Sequence, residues 1–185
     1  MRLFKFKYYS SVAIIYICIS AAFFFLSPAP FSYYAFHKND FFVLSVFALF
    51  SFGGLFLANS LLNFGQLSVN RQSPLQIIRM IFFATVFFVV PEEIIFRGFI
   101  QGYLQSAVSN SYVAIFLSAL VFGLAHLLNG AKSYSPEGWN LKLAAMTFVA
   151  GLYLGFAYFI TGSLVLPTIL HALFIISGRV FVKEV

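Results

Sequence analysis

The sequence predicts an all-α fold, a polytopic membrane helical bundle of about six transmembrane helices in one domain, residues 1–185. Two observations predict this class. Hydrophobic residues make up 62% of the chain and charged residues only 9%, whereas a soluble domain carries about 25% charged residues. In addition, six apolar stretches are long enough, or nearly so, to cross a bilayer core about 30 Å thick.

The predicted spans follow one another with short connections. They lie at about 10–26, 41–63, 75–104, 111–129, 141–161 and 164–182. The first span begins like a signal peptide, but a poor cleavage site follows it, so we interpret it as an uncleaved anchor. The third contains Pro91, which we expect to kink or break the helix. Glycines at four-residue spacing, Gly98/Gly102 and Gly151/Gly155, predict close helix packing.

Basic residues predict the orientation of the chain in the membrane. Lys and Arg lie before the first span, in the loops holding Arg71 and Lys132, and at the C-terminal end. With six spans these positions share one side, so both termini are expected in the cytoplasm, at the cell inner or plasma membrane. The net charge of +6 is scattered near the ends of apolar runs, which predicts contact with membrane lipids and no binding of nucleic acid. The single cysteine, Cys18, predicts neither a disulfide nor a thiolate metal site.

Two adjacent carboxylates stand out, since the chain has only five acidic residues and Glu92 and Glu93 lie within an apolar run. A charge at bilayer depth costs about 2.5–3.5 kcal/mol on insertion scales. Glu93 and Arg97 are four residues apart, so they share a helix face and can form an ion pair. Glu92 lies about 100° away around the helix and stays available. With Pro91 opening a second helical piece, the carboxylates would lie at a helix N-terminus, whose positive end favours ionised carboxylates.

Two of the three histidines also lie in apolar runs, His126 and His171, whereas His37 lies in a polar loop and is expected to be solvated. Counting about 1.5 Å per residue from the non-cytoplasmic side places Glu92, His126 and His171 roughly 18, 21 and 10 Å deep. This agreement within about two turns allows the three side chains to meet inside the bilayer.

Such a cluster supports hydrolysis. Glu92 can take a proton from water as a general base, and one histidine can orient that water or protonate the leaving amine. The other histidine can donate to the oxyanion. Alternatively, Glu92, His126 and His171 could hold zinc, because two histidines and a glutamate form an established catalytic zinc set. Intramembrane Glu, Arg and His also suit the proton relay of a small transporter, although no inverted repeat is visible.

Three motifs make the chain resemble the CPBP family, which comprises CAAX proteases and bacteriocin-processing enzymes and is also called the Abi family. The motif E-E-x-x-x-R matches Glu92 to Arg97, and F-x-x-x-H matches Phe122 to His126. The motif H-x-x-x-N is half matched, because His171 is followed by Ile175 where the family has asparagine. The resemblance covers about residues 75–180, which we interpret as the catalytic core.

The resemblance implies an intramembrane endopeptidase that acts on a CAAX terminus, a leader peptide or a protein tail. It implies that Glu92 activates water together with His126, that Glu93 and Arg97 complete the site, and that His171 serves the oxyanion. We favour a metal-free glutamate mechanism without a cofactor. An isoleucine has no donor for the oxyanion, so three possibilities stay open: Thr168, Ser177 or a backbone N–H substitutes, the chain belongs to a subfamily built differently, or its activity is weak. Ile175 also favours the alternative that the chain is a non-catalytic immunity or binding protein of the same fold.

Overall fold

The computed structural model describes residues 73–127 and 136–180, together with positions 14, 17–22, 25 and 46. All regular elements within these residues are helical, so the prediction of an all-α fold is confirmed for this part of the chain. The predicted spans 10–26 and 41–63 lie outside the described residues apart from those few positions, which are helical. The count of six spans and the side on which the termini lie stay predictions.

The first described helix, α1, runs from residue 74 to residue 107 in five consecutive segments. Three are α-helical, Pro74–Ala84, Val90–Glu93 and Gly102–Ala107, and two are π-helical, Thr85–Val89 and Ile94–Gln101. A capping box begins the helix: the Ser73 hydroxyl accepts the Gln76 N–H, and the Gln76 side chain accepts the Ser73 N–H. This reciprocal pair satisfies two backbone donors at the start of α1.

Pro91 does not divide α1. Val89, Val90 and Ile94 all keep right-handed helical dihedral angles, so of the two expected outcomes at Pro91 a break is wrong, and a kink stays a prediction. Proline lacks an N–H and its ring crowds the carbonyl four residues earlier, and the wider π-helical turns on both sides accommodate this defect. The two carboxylates that follow Pro91 therefore lie within a continuous helix, without the helix N-terminus that was expected to favour their charge.

Three further helices follow α1. They are α2 (Ser111–Ala125), α3 (Leu141–Thr161) and α4 (Val165–Val180), and a short 3-10 turn, Pro136–Gly138, precedes α3. Asn110 and Asn140 cap α2 and α3 by accepting backbone N–H groups. Gly162, with φ 62°, ends α3 in the left-handed conformation that glycine adopts at low cost. The predicted spans 141–161 and 164–182 agree closely with α3 and α4.

Helices α2 and α3 approach each other closely because glycines face the contact. A Cβ on Gly123 would lie 2.8 Å from Phe148 Cβ, and a Cβ on Gly151 would lie 3.1 Å from Ala119 Cβ. A Cβ on Gly155 would lie 2.8 Å from the Gln101 side chain of α1. The prediction that Gly151 and Gly155 serve close packing is therefore confirmed.

The bundle buries polar side chains and exposes apolar ones. The buried polar residues of the helices α1 to α4 include Glu92, Glu93, Arg97, Gln101, Ser118 and His171. Large apolar residues exposed on the outside include Phe82, Phe116, Leu120, Val149, Phe156 and Ile160. Among the described helices, α3 alone is both long and apolar enough to cross a membrane, and apolar helices at Ser111–Ala125 and Val165–Ile175 are shorter. This arrangement is the one expected where lipid, and not water, surrounds the bundle.

Candidate active site

Glu93 is the centre of a buried charge cluster. Its Oε1 accepts a hydrogen bond from Arg97 Nη1 at 3.0 Å and lies 2.7 Å from His171 Nδ1 on α4. The Glu93 side chain is only 1% exposed. The expected ion pair between Glu93 and Arg97 is present, and the structure adds His171 to it, which the sequence did not predict.

Arg97 also contacts two other helices, although its buried Nε has no hydrogen-bond partner among the described residues. Its Nη2 donates to the main-chain oxygen of Gly151 on α3 at 3.3 Å. Its guanidinium lies 4.5 Å above the ring of Phe122 on α2, as a cation–π contact. A buried charge is costly unless it is paired and hydrogen-bonded, so Arg97 joins α1 to α2 and α3 while it neutralises Glu93.

Glu92 occupies a different environment from Glu93. Its side chain is 12% exposed, and its Oε2 lies 3.7 Å from Nε2 of His171. The imidazole of His171 therefore lies between the two carboxylates, with Nδ1 towards Glu93 and Nε2 towards Glu92. Because an ionised carboxylate only accepts hydrogen bonds, Glu93 holds a proton on Nδ1 and leaves Nε2 directed at Glu92.

His126 lies at the end of α2 and not within it. The helix ends at Ala125, and the His126 N–H bonds to the carbonyls of Gly123 and Leu124. The span predicted at 111–129 extends beyond this end, because the residues after His126 are also apolar. His126 Nδ1 lies 2.8 Å from the Phe122 carbonyl, which can only accept, so Nδ1 carries a proton and Nε2 is free to act as a base. The side chain is close enough to Glu92 for an electrostatic interaction.

The ring of Phe122 connects these groups. It packs edge-on against the imidazoles of His126 and His171, with ring centroids 4.6 and 5.8 Å apart. Arg97 covers its face, and Phe96 packs against it at 4.8 Å. Phe122 entered the sequence prediction only as the first residue of the F-x-x-x-H motif. In the structure its buried side chain contacts both imidazoles and the guanidinium, and so holds them in fixed relative positions.

Two buried polar residues of the site were not predicted from the sequence. Ser118 donates to the main-chain oxygen of Phe96 at 2.9 Å, and Gln101 donates to that of Gly155 at 2.8 Å. A signal for Gln101 was present, since it is a polar residue in an apolar run four residues after Arg97. Ser118 gave no such signal, because a serine is common on packed membrane helices.

Thr168 and Ser177 were considered as oxyanion donors in place of the asparagine that Ile175 replaces. Ile175 is half-buried on α4, one turn after His171. The hydroxyl of Thr168 donates to the Leu164 carbonyl at 2.6 Å, within its own helix, so its one proton is already used. The side chain of Ser177 lies outside the described residues.

Within the described residues, no group of three His, Cys, Asp or Glu side chains is arranged to hold a metal ion. The Nδ1 atoms of His126 and His171 are held by oxygen atoms, as is common for zinc-bound histidines. However, these rings and Glu92 do not converge on one point as the alternative zinc set requires.

Comparison with known proteins finds one family. The model of a family described as type II CAAX prenyl endopeptidase Rce1-like matches residues 74–176. The match begins at the first residue of α1 and ends within α4, so it contains every residue of the site described above. Neither a curated protein nor a solved structure matches the chain.

Proposed function

Because the chain belongs to the Rce1-like family of type II CAAX prenyl endopeptidases, we propose that it is an intramembrane endopeptidase in which Glu92 activates the attacking water. Membership of this family makes the chain a membrane protease of the CAAX type, which acts on a peptide or protein substrate. The roles of the individual residues, the substrate and the metal-free chemistry are the parts that we propose.

One observation carries the assignment of Glu92 as the base. Of the two adjacent carboxylates, Glu93 is closed in by Arg97 and His171 with a side chain only 1% exposed, whereas the Glu92 side chain is 12% exposed and faces His171 Nε2. A general base must reach the water from which it takes a proton. Glu92 has that access, and Glu93 is committed to its two partners.

The reaction begins when the carboxylate of Glu92 takes a proton from water and the resulting hydroxide attacks the scissile carbonyl carbon. The carbonyl oxygen becomes an oxyanion, and a protonated Nε2 of His171 stabilises it by donating a hydrogen bond. The C–N bond then breaks, and the proton passes from Glu92 to the departing amine, either directly or through Nε2 of His126. The products are a free carboxylate and a free amine.

Glu93 and Arg97 contribute to this reaction through His171. A carboxylate that accepts the Nδ1 proton stabilises a second proton on Nε2 and holds the ring in one orientation, as in other carboxylate–histidine pairs. Arg97 offsets the charge of Glu93, so that the second carboxylate does not repel Glu92 in a medium of low dielectric constant.

The substrate that we propose is a protein C-terminus of the CAAX type, with a lipid-modified cysteine, and leader or tail processing is the alternative. The site lies among helices with apolar outer faces, which suits a substrate that reaches it from the lipid phase. Zinc would need Glu92, His126 and His171 as ligands, and no step above depends on it.

The test uses purified protein in lipid vesicles with a farnesylated CAAX peptide, the same peptide without the lipid, and a leader peptide. We expect wild-type protein to cleave the farnesylated peptide and Glu92→Gln to lose about 10²–10⁴-fold in rate, the usual contribution of a general base. Glu137→Gln is the matched control, because Glu137 is an exposed carboxylate in the 3-10 turn. A Glu92→Gln variant as active as wild type would refute the mechanism, and loss of cleavage on adding a chelator would replace it with the zinc version.

Ile175 favours a second candidate, a non-catalytic immunity or binding protein of the same fold. Loss of one oxyanion donor can lower a rate about 10²–10³-fold, and Thr168 does not replace it because its proton bonds Leu164. Specific binding of a peptide without cleavage, in the same vesicles, would support this candidate over the protease.

A further inference from the structure

A buried amide, Gln101, lies one helical turn beyond Arg97 on α1 and is 0% exposed. Its Nε2 donates to the Gly155 carbonyl at 2.8 Å, just as Arg97 donates to the Gly151 carbonyl at 3.3 Å. The two donors, Arg97 and Gln101, are four residues apart on α1, and the two acceptors, Gly151 and Gly155, are four residues apart on α3. Two parallel hydrogen bonds therefore connect side chains of α1 to the backbone of α3. Neither bond depends on a side chain of α3.

Stability does not explain a glutamine at this position. The Oε1 of Gln101 has no hydrogen-bond partner among the described residues. A buried acceptor without a partner costs about 1–3 kcal/mol, which matches or exceeds the roughly 0.5–1.5 kcal/mol that the bond made by Nε2 contributes. An apolar residue of similar size, such as methionine, would fill the same space without that cost.

The packing around Gln101 holds its amide in one place. A Cβ on Gly155 would lie 2.8 Å from Gln101 Oε1 and 3.1 Å from Ile115 Cγ2. Only a residue without a side chain therefore leaves room for the amide at this contact.

Gln101 is also the last residue of the π-helical segment Ile94–Gln101, which contains Arg97. Segments of this kind have hydrogen bonds from residue i to i+5 and are frequent at functional sites. The amide connects the C-terminal end of that segment to α3.

We propose that Gln101 is a positioning residue of the active site: its bond to Gly155 sets the position of Arg97, and through Glu93 the orientation of His171. The catalytic part of this role rests on the proposed function, whereas the effect on His171 does not. Gln101 itself touches none of the reacting groups.

The first experiment observes His171 directly. Protein labelled with ¹⁵N-histidine is reconstituted in bilayers, and the imidazole nitrogen signals of His171 are assigned with a His171→Gln variant. We expect Gln101→Met to shift the His171 signals, because the ring loses its fixed contact with Glu93. Gln105→Met, the same change one turn further along α1, is the control and should leave them in place. Unchanged His171 signals in Gln101→Met would overturn the proposal, whether or not the protein hydrolyses peptides.

The second experiment separates positioning from packing by kinetics. We expect Gln101→Met to lower kcat about tenfold, the effect of one hydrogen bond acting in the transition state, with KM changed by less than about twofold. Gly155→Ala disturbs the same contact from α3 and should act in the same direction, which keeps the test valid if Gln101→Met folds poorly. In the double variant Gln101→Ala with Gly155→Ala, the new methyl group on residue 155 occupies the space that the Gln101 amide leaves. A kcat restored to the wild-type value in this double variant would show that Gln101 acts only by packing.

Discussion

Removing the charge of Arg97 should destabilise the protein far more than removing the charges of Arg97 and Glu93 together. In Arg97→Met, the Glu93 carboxylate keeps its buried position but loses the guanidinium 3.0 Å away. Breaking a buried pair by removing one partner costs about 3–5 kcal/mol, mainly because a buried charge loses its compensation. Glu93 would then keep the contact with His171 Nδ1 at 2.7 Å but not its paired cation. The contacts with the Gly151 carbonyl and the Phe122 ring disappear as well.

The double variant Glu93→Gln with Arg97→Met removes that uncompensated charge. Since a neutral amide is much cheaper to bury than a carboxylate, we expect it to recover at least about 1–2 kcal/mol of the free energy of unfolding lost in Arg97→Met. The assay is reversible unfolding in detergent micelles, followed by circular dichroism. Arg79→Met is the control, because Arg79 is exposed on the same helix and its loss should change the free energy by less than about 0.5 kcal/mol.

The reasoning fails if the two single changes simply add. Independent sites are additive within about 0.3–0.5 kcal/mol, so a double variant destabilised by the full sum would mean that Glu93 and Arg97 do not compensate each other. An Arg97→Met protein as stable as Arg79→Met would refute the buried pair itself.

Three further outcomes are expected. Gly151→Ala should lower the free energy of unfolding by about 1–3 kcal/mol, because the new methyl group would lie 3.1 Å from a neighbouring side chain. Gly102→Ala is the control and should be neutral or mildly stabilising, because the nearest atoms to its new methyl group are 3.7 Å away. Equal free energies of unfolding for the two variants would contradict the packing described. Ile175→Asn should raise the cleavage rate, by up to about 10²–10³-fold, if an oxyanion donor is missing one turn from His171, and an unchanged rate in the vesicle assay would show that another group supplies it. Phe122→Leu should lower kcat and shift the imidazole signals of His171 while it costs about 1–3 kcal/mol in unfolding free energy, and a variant that loses stability alone would limit Phe122 to packing.

The pair of Glu93 and Arg97 could be predicted from sequence because helix geometry alone brings residues four apart together. The contact of His171 with Glu93 could not be predicted from the sequence, because it depends on how α4 packs against α1. Sequence reasoning directed His171 to Glu92 and the oxyanion, and the structure places it between both carboxylates.

The continuity of α1 through Pro91 and the end of α2 show two further limits. Hydropathy extends a helix through any apolar residue, so the predicted span continued past His126, whereas backbone hydrogen bonding ends the helix at Ala125. Pro91 was expected to kink or divide the helix, but nothing in the local sequence shows whether wider turns will accommodate the missing N–H. The metal-free mechanism and the role of each site residue stay predictions.

The π-helical segments also bear on which length changes the chain tolerates. In a regular α-helix, deleting one residue rotates everything beyond it by about 100°, which would turn Gln101 away from α3 and Glu93 away from α4. In Ile94–Gln101 each hydrogen-bonded ring encloses one residue more than in an α-helix. A deletion there converts a π-turn to an α-turn and leaves the two ends of α1 in phase. We therefore expect one-residue deletions within Ile94–Gln101 to be tolerated better than deletions in the regular helix Leu141–Thr161.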